Sequence, residues 1–495
     1  MGIRIFLLKN FISMLIQSPH HFYIHENKSK YLFSLHPLIT AFYLANDMKL
    51  AERLQKIKDT YSSQELDLYY RQYLFIKEHF INNSKKHKPC YGRINDIMVE
   101  NSFHSVRHIV FEVTDKCNLQ CVYCAYGDCY TGYDKRNHKN LDFDRAKILL
   151  DYFIPIWKRK AEAGIQVPVT ISFYGGEPLL NFKFIAQTVS YCESLGFKKD
   201  FFTYSMTTNG LLINKYQNYL IEKNFRLLVS LDGNKGNHSF RIKKTGENSF
   251  DEIMANLESL RKSNPDYFNQ NISFISVMHK KNSMPESITF IKNEFNQLPT
   301  TTPLSTEDVV PEKKEYFEKF INRDSSNDIT DELLKDFTDA ELGKYDIYSF
   351  MRKNARHYFN HYHDIYEIAK STIITPTGTC IPFTRKVYLT TNGKILPCER
   401  VHIKHTLGKV SKIKGVLLDF DAIATYFNKA VNVFTERCKD CYNRPTCEVC
   451  VFKYSGEPCE KFIDKIEFLK IMYGNLALIE TYPHTYQYIK HIVTD

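Results

Sequence analysis

Over the middle of the chain, the spacing of apolar and polar residues alternates between two periods. Short apolar or β-branched runs, which predict buried strands, alternate with longer segments whose apolar residues recur every three or four positions, which predict helices. The predicted strands are 108–113, 167–173, 201–206, 227–231 and 272–278, and the predicted helices are 143–163, 181–195, 212–223, a helix from 249, and 286–295. Five to six strand–helix units in series predict an α/β fold with a parallel sheet, closed or partly closed into a barrel.

One of these helices has a clear predicted start. Ser249 and Glu252 stand at capping-box spacing, and Ile253, Leu257 and Leu260 follow on one helical face. The sequence therefore predicts that the Ser249 side chain caps this helix.

The first 105 residues show a different pattern. Residues 21–35 alternate around a polar break and predict a hairpin, and helical stretches are predicted from Pro37 to Leu50 and over 64–81. The apolar segment 5–16 is interrupted by polar residues and is far shorter than the ~20 residues that a membrane span needs. We expect a small N-terminal α+β module without a membrane anchor.

Three cysteines follow the first predicted strand of the middle region: Cys117, Cys121 and Cys124. Three thiolates can hold a four-iron cluster while one iron keeps an open position for a small molecule. The alternatives are three ordinary buried thiols, or part of a zinc site with its fourth ligand elsewhere.

Composition limits the partners. The net charge is +10, spread along the chain without a long basic tract, so nucleic acid is not expected as a partner. A basic surface could attract an acidic peptide segment or an acidic electron donor. Thirteen cysteines, an odd count that falls mostly into two metal-like groups, favour a reducing cytoplasm over a disulfide-bonded secreted protein.

The loop C-x3-C-x2-C after a strand, with Asn118 and Leu119 inside it and Tyr123 before the last cysteine, resembles the signature of radical SAM enzymes. In that family the open iron chelates the methionine end of S-adenosylmethionine, and an electron from the cluster cleaves it to a 5′-deoxyadenosyl radical. The resemblance implies the same cofactors and chemistry here.

The ends of the later strands support this resemblance. Tyr174-Gly-Gly-Glu-Pro178 matches the family motif that grips the methionyl amino group, since paired glycines expose backbone groups and a carboxylate accepts from an ammonium. Arg241 matches an arginine that pairs with the methionyl carboxylate, although Ser239 stands where relatives often have an acidic residue. The implied cofactor-binding residues are Tyr123, Gly175, Gly176, Glu177, Thr208, Ser230 and Arg241.

Seven cysteines in the last quarter of the chain form a second group: Cys380, Cys398, Cys438, Cys441, Cys447, Cys450 and Cys459. Two C-x2-C pairs alone would suggest a zinc ribbon, but seven cysteines are too many for one zinc. The arrangement resembles the SPASM extension of radical SAM enzymes, which carries two auxiliary [4Fe–4S] clusters and brings the expected total to three.

By the SPASM pattern, one auxiliary cluster would be held by Cys438, Cys441, Cys447 and Cys459, and the other by Cys380, Cys398 and Cys450. The last iron of the second cluster could bind a substrate group, Glu399 or His402. Only two residues separate Cys447 from Cys450, where the family more often has three, and one zinc with three spare thiols stays an alternative. No ligand role is predicted for Cys90, Cys129 or Cys192.

These patterns predict four regions: a module over 1–105, possibly for peptide recognition; a radical SAM barrel over 106–300; a bridging helical region over 301–370; and a SPASM domain with a final helix over 371–495. The resemblance implies an enzyme that modifies a ribosomally made precursor peptide, forming a thioether or carbon–carbon crosslink, with ferredoxin or flavodoxin as electron donor. The alternatives are an anaerobic sulfatase-maturase type of enzyme that forms formylglycine, and a non-catalytic metal-binding module that presents a peptide.

Overall fold

The structure, a computed structural model, describes four long segments, 93–164, 168–305, 308–321 and 380–438. It also describes the backbone of 17–18, 21–26, 29–34 and 42–44, and residues 441, 449–452, 459, 462–464 and 467. Within these segments the chain forms an α/β fold, as the alternation of periods predicts.

A small antiparallel sheet forms near the N-terminus. Its strands, in spatial order, are β1 Gln17–Ser18, β2 His21–Glu26, β3 Ser29–Ser34 and β4 Phe42–Leu44. The hairpin predicted over 21–35 is confirmed as β2 and β3. The helix predicted from Pro37 to Leu50 is wrong at β4, where pairing with β3 supplies the backbone bonds that a helix would otherwise make. The helix predicted over 64–81 lies outside the described residues.

The middle of the chain builds a run of parallel strands. They are β5 His108–Thr114, β6 Val169–Gly175, β7 Phe202–Thr208, β8 Arg226–Ser230, β9 Ile272–Met278 and β10 Thr300–Pro303. Each pairs in parallel with the next. The five predicted strands are thus confirmed to within about two residues at their ends, and β10 is an addition.

Helices connect these strands. In chain order they are α1 Asp96–His104, α2 Phe143–Glu162, α3 Phe182–Ser194, α4 Ile213–Glu222, α5 Phe250–Ser263, α6 Pro265–Asn271 and α7 Met284–Phe295, followed by α8 Lys314–Glu318. The predicted helices correspond to α2, α3, α4, α5 and α7. This strand–helix alternation gives the parallel sheet its crossovers.

The predicted cap of α5 is wrong. Ser249 precedes the helix, but its hydroxyl donates to the Arg241 carbonyl at 2.8 Å and makes no cap hydrogen bond. A complete capping box instead begins α7, where Ser283 and Glu286 bond reciprocally. Helix α7 therefore starts two residues earlier than its apolar pattern predicts.

The two faces of the parallel sheet differ in polarity. One face carries Ile109, Phe111 and Phe173, which are fully buried against the helices. On the other face of the first three strands, His108, Ser172 and Ser205 are joined in a row by hydrogen bonds. Because successive strand residues point to opposite faces, one face forms the core and the other stays polar.

The last described region continues the same sheet. Strand β11 Val387–Leu389 pairs in parallel with β5, and β12 Lys394–Leu396, β13 Gly408–Ser411 and β14 Gly415–Leu418 extend the sheet antiparallel. Helix α9 Phe420–Arg437 follows. The Asn428 side chain bonds both the N–H and the C=O of Ile94 just before α1, at 3.1 and 2.8 Å. This region is therefore joined by hydrogen bonds both to the parallel strands and to the segment before α1.

None of the helices that the structure describes is long and apolar enough to cross a membrane.

Candidate active site

The loop that carries Cys117, Cys121 and Cys124 leaves the carboxyl end of β5. The amide of Gln120 donates to the Ile242 carbonyl at 2.8 Å, and the amide of Val122 donates to the Phe240 carbonyl at 3.1 Å. The loop is thus paired by its backbone to the segment 240–243, which follows β8. We call residues 115–133 the cysteine loop.

Two glycines after β6 let the cysteine loop approach closely. A Cβ on Gly175 would lie 2.3 Å from the Thr114 carbonyl oxygen, and one on Gly176 would lie 2.0 Å from that of Lys116. The amides of Gly176 and Glu177 donate to these two carbonyls, each at 2.8 Å. The glycines are therefore required by backbone packing, and the amides of Gly176 and Glu177 support the loop itself.

The Glu177 carboxylate is fully buried and is held by strand ends. It accepts from the Thr208 hydroxyl and the Asn209 amide, both at 2.8 Å, and from the Leu179 amide at 3.2 Å. Burial raises the pKa of Glu177 to about 7, even though these donors act in the opposite direction. Two of the predicted cofactor-binding residues, Glu177 and Thr208, thus contact each other.

A second buried carboxylate, Asp232, lies two residues beyond Ser230, which ends β8 half-buried. Arg241 binds Asp232 with two bonds, from Nε at 2.9 Å and from Nη2 at 3.0 Å. The Tyr123 hydroxyl donates to the same carboxylate, and the Val277 amide donates at 3.0 Å. Burial alone would raise the pKa of Asp232, but the charge and hydrogen bonds of Arg241, together with His279 and His238, outweigh it and hold the pKa well below its usual range.

A buried histidine completes this group. His279 Nδ1 accepts from the Lys281 amide at 3.2 Å, so the ring proton belongs on Nε2, which lies 3.5 Å from Asp232 Oδ2. The ring is also 5.3 Å from that of Tyr123. We call Tyr123, Asp232, Arg241 and His279 the Asp232 group.

The opposite side of the cysteine loop is aromatic. Tyr126 and Tyr133 pack with ring centroids 4.6 Å apart, and the hydroxyls of Tyr126 and Tyr388 are 2.9 Å apart. Arg136 lies over the Tyr126 ring at 5.1 Å, and its Nη2 donates to Cys124 Sγ at 3.1 Å. We call Tyr126, Tyr133, Arg136 and Tyr388 the Arg136 group.

The donors around the sulfur atoms fit an iron–sulfur cluster. Besides Arg136, the Leu119 amide points at Cys117 Sγ at 3.4 Å, and the Asn209 side-chain amide lies 3.8 Å from the same sulfur. N–H groups directed at thiolates are typical of such sites. The three thiols are free, and burial raises the pKa of Cys117 to about 11, so cluster binding must displace their protons.

The structure describes the auxiliary cysteines less completely than the three cysteines of the cysteine loop. Cys380 is exposed, whereas Cys398, Cys438 and Cys450 are half-buried against the hydrophobic core. The Cys441 amide donates to the Cys438 carbonyl at 3.2 Å, and Cys459 is half-buried. Cys447 and Cys90 lie outside the described residues. Within the part of the chain that the structure describes, no three Cys, His, Asp or Glu side chains converge on a single ion.

Glu399 and His402 are the two side chains that the sequence predicts as possible ligands of the second auxiliary cluster. Glu399 is half-buried, binds Lys386 at 3.1 Å and has an oxygen 3.5 Å from Cys398 Sγ. His402 Nδ1 accepts from the Lys404 amide at 2.9 Å. The cysteine loop reaches this region as well, since the Tyr133 hydroxyl donates to the Glu399 carbonyl at 3.1 Å.

Residues 111–288 match the family model described as the Radical SAM superfamily. This segment of the chain is a radical SAM domain. It begins within β5 and contains the cysteine loop and the segments after β6, β7 and β8. The radical SAM family uses S-adenosylmethionine and a [4Fe–4S] cluster, and the three thiols with their N–H donors fit that cluster.

Curated relatives of this chain share modest identity. An uncharacterized protein of Methanocaldococcus jannaschii is 28% identical over 244 residues, 49% of this chain and 73% of the relative. A cysteine-type anaerobic sulfatase-maturating enzyme of Clostridium novyi is 24% identical over 362 residues, 69% of this chain and 87% of the relative. The radical SAM cyclopropyl synthase TigE of Paramaledivibacter caminithermalis is 27% identical over 184 residues, 34% of this chain and 38% of the relative.

Among solved structures, native anSMEcpe with bound AdoMet and the Cp18Cys peptide matches with a TM-score of 0.48 at 17% identity, covering 78% of this chain and 99% of that chain.

The sequence pointed to loops that the structure brings together, but not to the contacts within them. The predicted cofactor-binding residues lie on the cysteine loop, at the ends of β6, β7 and β8 or on the segments that follow them: Tyr123, Gly175, Gly176, Glu177, Thr208, Ser230 and Arg241. Their binding of S-adenosylmethionine stays a prediction. Sequence reasoning missed the partners Asp232, Arg136 and His279. The only sequence signal for the aromatic side was the density of tyrosines just after Cys121.

Proposed function

We propose that this radical SAM enzyme modifies a ribosomally made precursor peptide and installs a thioether or carbon–carbon crosslink. The observation that carries the proposal is the match to a sulfatase-maturating enzyme, whose name gives it a protein target. That match spans 362 residues and so extends well beyond the 178 residues of the radical SAM domain match. The relationship therefore includes parts of the chain outside the core.

The N-terminal sheet supports a peptide substrate. Its edge strands β1 and β4 have two and three residues, and each pairs on one side only within the described strands. An extended peptide can add to such an edge through main-chain hydrogen bonds. We propose that this module, within residues 1–105, recognises the precursor peptide.

S-adenosylmethionine bound at a reduced cluster supplies the radical that abstracts a substrate hydrogen. The chain's residues prepare the place for it. Gly175 and Gly176 let the cysteine loop pack on β6, the Asp232 group fixes its Tyr123 side, and Arg136 donates to Cys124 Sγ. Cys398, after β12, is held near the same loop through Tyr133 and Glu399.

We further propose that Cys438, Cys441, Cys447 and Cys459 hold one auxiliary cluster and that Cys380, Cys398 and Cys450 hold the other, where the electron from product formation would arrive. A cytoplasmic ferredoxin or flavodoxin, attracted by the basic surface, would reduce the first cluster. The half-buried positions of Cys398, Cys438 and Cys450 support these assignments.

The second candidate function is formation of formylglycine in a protein substrate, which the name of the sulfatase-maturating relative favours. The two functions give different products. Crosslinking removes two hydrogens and forms no aldehyde, whereas formylglycine carries an aldehyde that reacts with hydrazines.

The test is an anaerobic reaction of the reconstituted enzyme with S-adenosylmethionine, dithionite and the peptides encoded beside its gene. Mass spectrometry of the peptide should show loss of two hydrogens and no hydrazine adduct. A hydrazine-reactive product would select the second candidate, and 5′-deoxyadenosine without any altered peptide would reject both. A variant with alanine at Cys117, Cys121 and Cys124 should make no 5′-deoxyadenosine and should keep the auxiliary iron, so that full iron retention would contradict the ligand assignment.

A further inference from the structure

Two arginines approach the cysteine loop, and their charges are in different situations. Arg241 is bound by both oxygens of Asp232, so its charge is neutralised within the Asp232 group. Arg136 makes no ion pair with any carboxylate in the described part of the chain. It donates a hydrogen bond to Cys124 Sγ and lies over the Tyr126 ring. Near the three thiols, Arg136 is therefore a positive charge without a paired carboxylate.

The guanidinium of Arg136 is directed at a predicted ligand sulfur. Its Nη2 donates to Cys124 Sγ at 3.1 Å. Packing on the Tyr126 ring fixes the guanidinium, and Tyr126 is itself held by Tyr133 and Tyr388. The Nε atom of Arg136 is buried without a hydrogen-bond partner within the described structure.

A cluster gains one negative charge on reduction. A nearby cation and an N–H donated to a ligand sulfur stabilise the reduced form more than the oxidised form, and both raise the reduction potential. The effect is largest for a group that is shielded from water and has no counter-ion. Arg136 is half-buried with its Nε atom shielded from water, and it has no counter-ion in the described part of the chain. Arg241 is buried more deeply, but it is paired with Asp232.

We propose that Arg136 tunes the reduction potential of the [4Fe–4S] cluster held by Cys117, Cys121 and Cys124, through its hydrogen bond to Cys124 and its unpaired charge. The inference rests on the cluster at these three cysteines and not on the identity of the peptide. In the step concerned, one electron passes from the reductant to the cluster, and no bond is made or broken.

The test is a potentiometric titration of the anaerobically reconstituted full chain, with dithionite and mediators, followed by electron paramagnetic resonance. The signal that changes on addition of S-adenosylmethionine identifies this cluster among the others. In Arg136→Gln the ratio of reduced to oxidised cluster at a fixed potential should fall by about tenfold, equal to about 59 mV for one electron. Arg136→Lys, which keeps the charge, should shift less.

Lys135→Gln is the matched control, because it removes one charge from the neighbouring, exposed position. An unchanged potential in Arg136→Gln, or equal shifts in all three variants, would overturn the proposal. If Arg136→Gln loses the cluster iron, the Arg136→Lys variant decides between the two roles. Iron retained in Arg136→Lys supports a role for the charge. Iron lost in both variants means that Arg136 only packs the loop. A wild-type signal that responds to S-adenosylmethionine without any peptide product would separate this inference from a failure of the proposed function.

Discussion

The two sides of the cysteine loop are held by different physical means. On one side, the Asp232 group is an ion pair whose charges cancel inside the protein, and Asp232 is fully buried. On the other side, the Arg136 group combines tyrosine rings and hydroxyls with a cation whose hydrogen-bond partner is a sulfur. The first arrangement fixes geometry, and the second leaves a charge available to act on a cluster. Proximity of an arginine to the site therefore does not by itself define its role.

The largest expected effect comes from breaking the ion pair. Asp232→Asn leaves the buried Arg241 charge without its carboxylate, and removal of one partner of a buried pair costs about 3–5 kcal/mol. The free energy of unfolding in urea, followed by the fluorescence of Trp157, the single tryptophan and a buried core residue, measures this loss.

The control is Asp251→Asn, because Asp251 and its partner Lys235 are exposed by 67% and 60%. It should change stability by less than about 0.5 kcal/mol. The pKa of Asp232 is lowered in the folded state, so the contribution of the pair is complete above the ordinary carboxylate pKa of about 3.9 and is lost as the pH falls below it. The difference between wild type and Asp232→Asn should thus be constant from pH 5 to 8, and a cost equal to that of the control would contradict the ion-pair role.

A smaller effect is expected on the aromatic side. Tyr126→Phe removes the hydroxyl that bonds Tyr388, which is only 2% exposed. A buried hydroxyl that loses its partner costs about 1–2 kcal/mol. The same unfolding experiment measures the change, with Tyr316→Phe as control because that side chain is 47% exposed. A result near zero would mean that the hydroxyl pair does not hold the loop.

The smallest effect on stability is expected at Arg136. Arg136→Met replaces the guanidinium over Tyr126 by an apolar side chain and leaves no carboxylate unpaired, so the apo protein should lose less than about 1 kcal/mol. Arg241→Met is the matched variant, because it leaves the buried Asp232 carboxylate without its partner. It should lower the free energy of unfolding by about 3–5 kcal/mol. Equal losses in the two variants would show that both arginines are structural.

Much of the fold followed from local patterns. The strands β5, β6, β7, β8 and β9 were predictable because their apolar runs are buried against helices, a requirement that acts on each segment separately. Strand β4 was not predictable, because a three-residue apolar run fits a helix or a strand until a partner strand is present. The cap of α5 failed for a similar reason, since the Arg241 carbonyl takes the Ser249 hydroxyl.

For the site, the cysteine spacing and the Gly175-Gly176 turn pointed to loops that the structure brings together. The contacts of side chains within those loops were less predictable. Cofactor binding by Glu177 and Arg241 stays a prediction, and the structure shows that they bond to Thr208 and Asp232, which the sequence did not indicate. Asp232 stands within an ordinary turn sequence, so nothing local marks it as the centre of four contacts.

The sequence by itself determined the order of strands and helices, the positions of the cysteine groups and the turn glycines, because each depends on neighbouring residues and on spacing. Only the tertiary structure decided which charges near the cysteine loop are cancelled and which are not. Arg136 and Arg241 are the same residue type, and their charges differ in effect only because folding brings Asp232 within 3.0 Å of one of them.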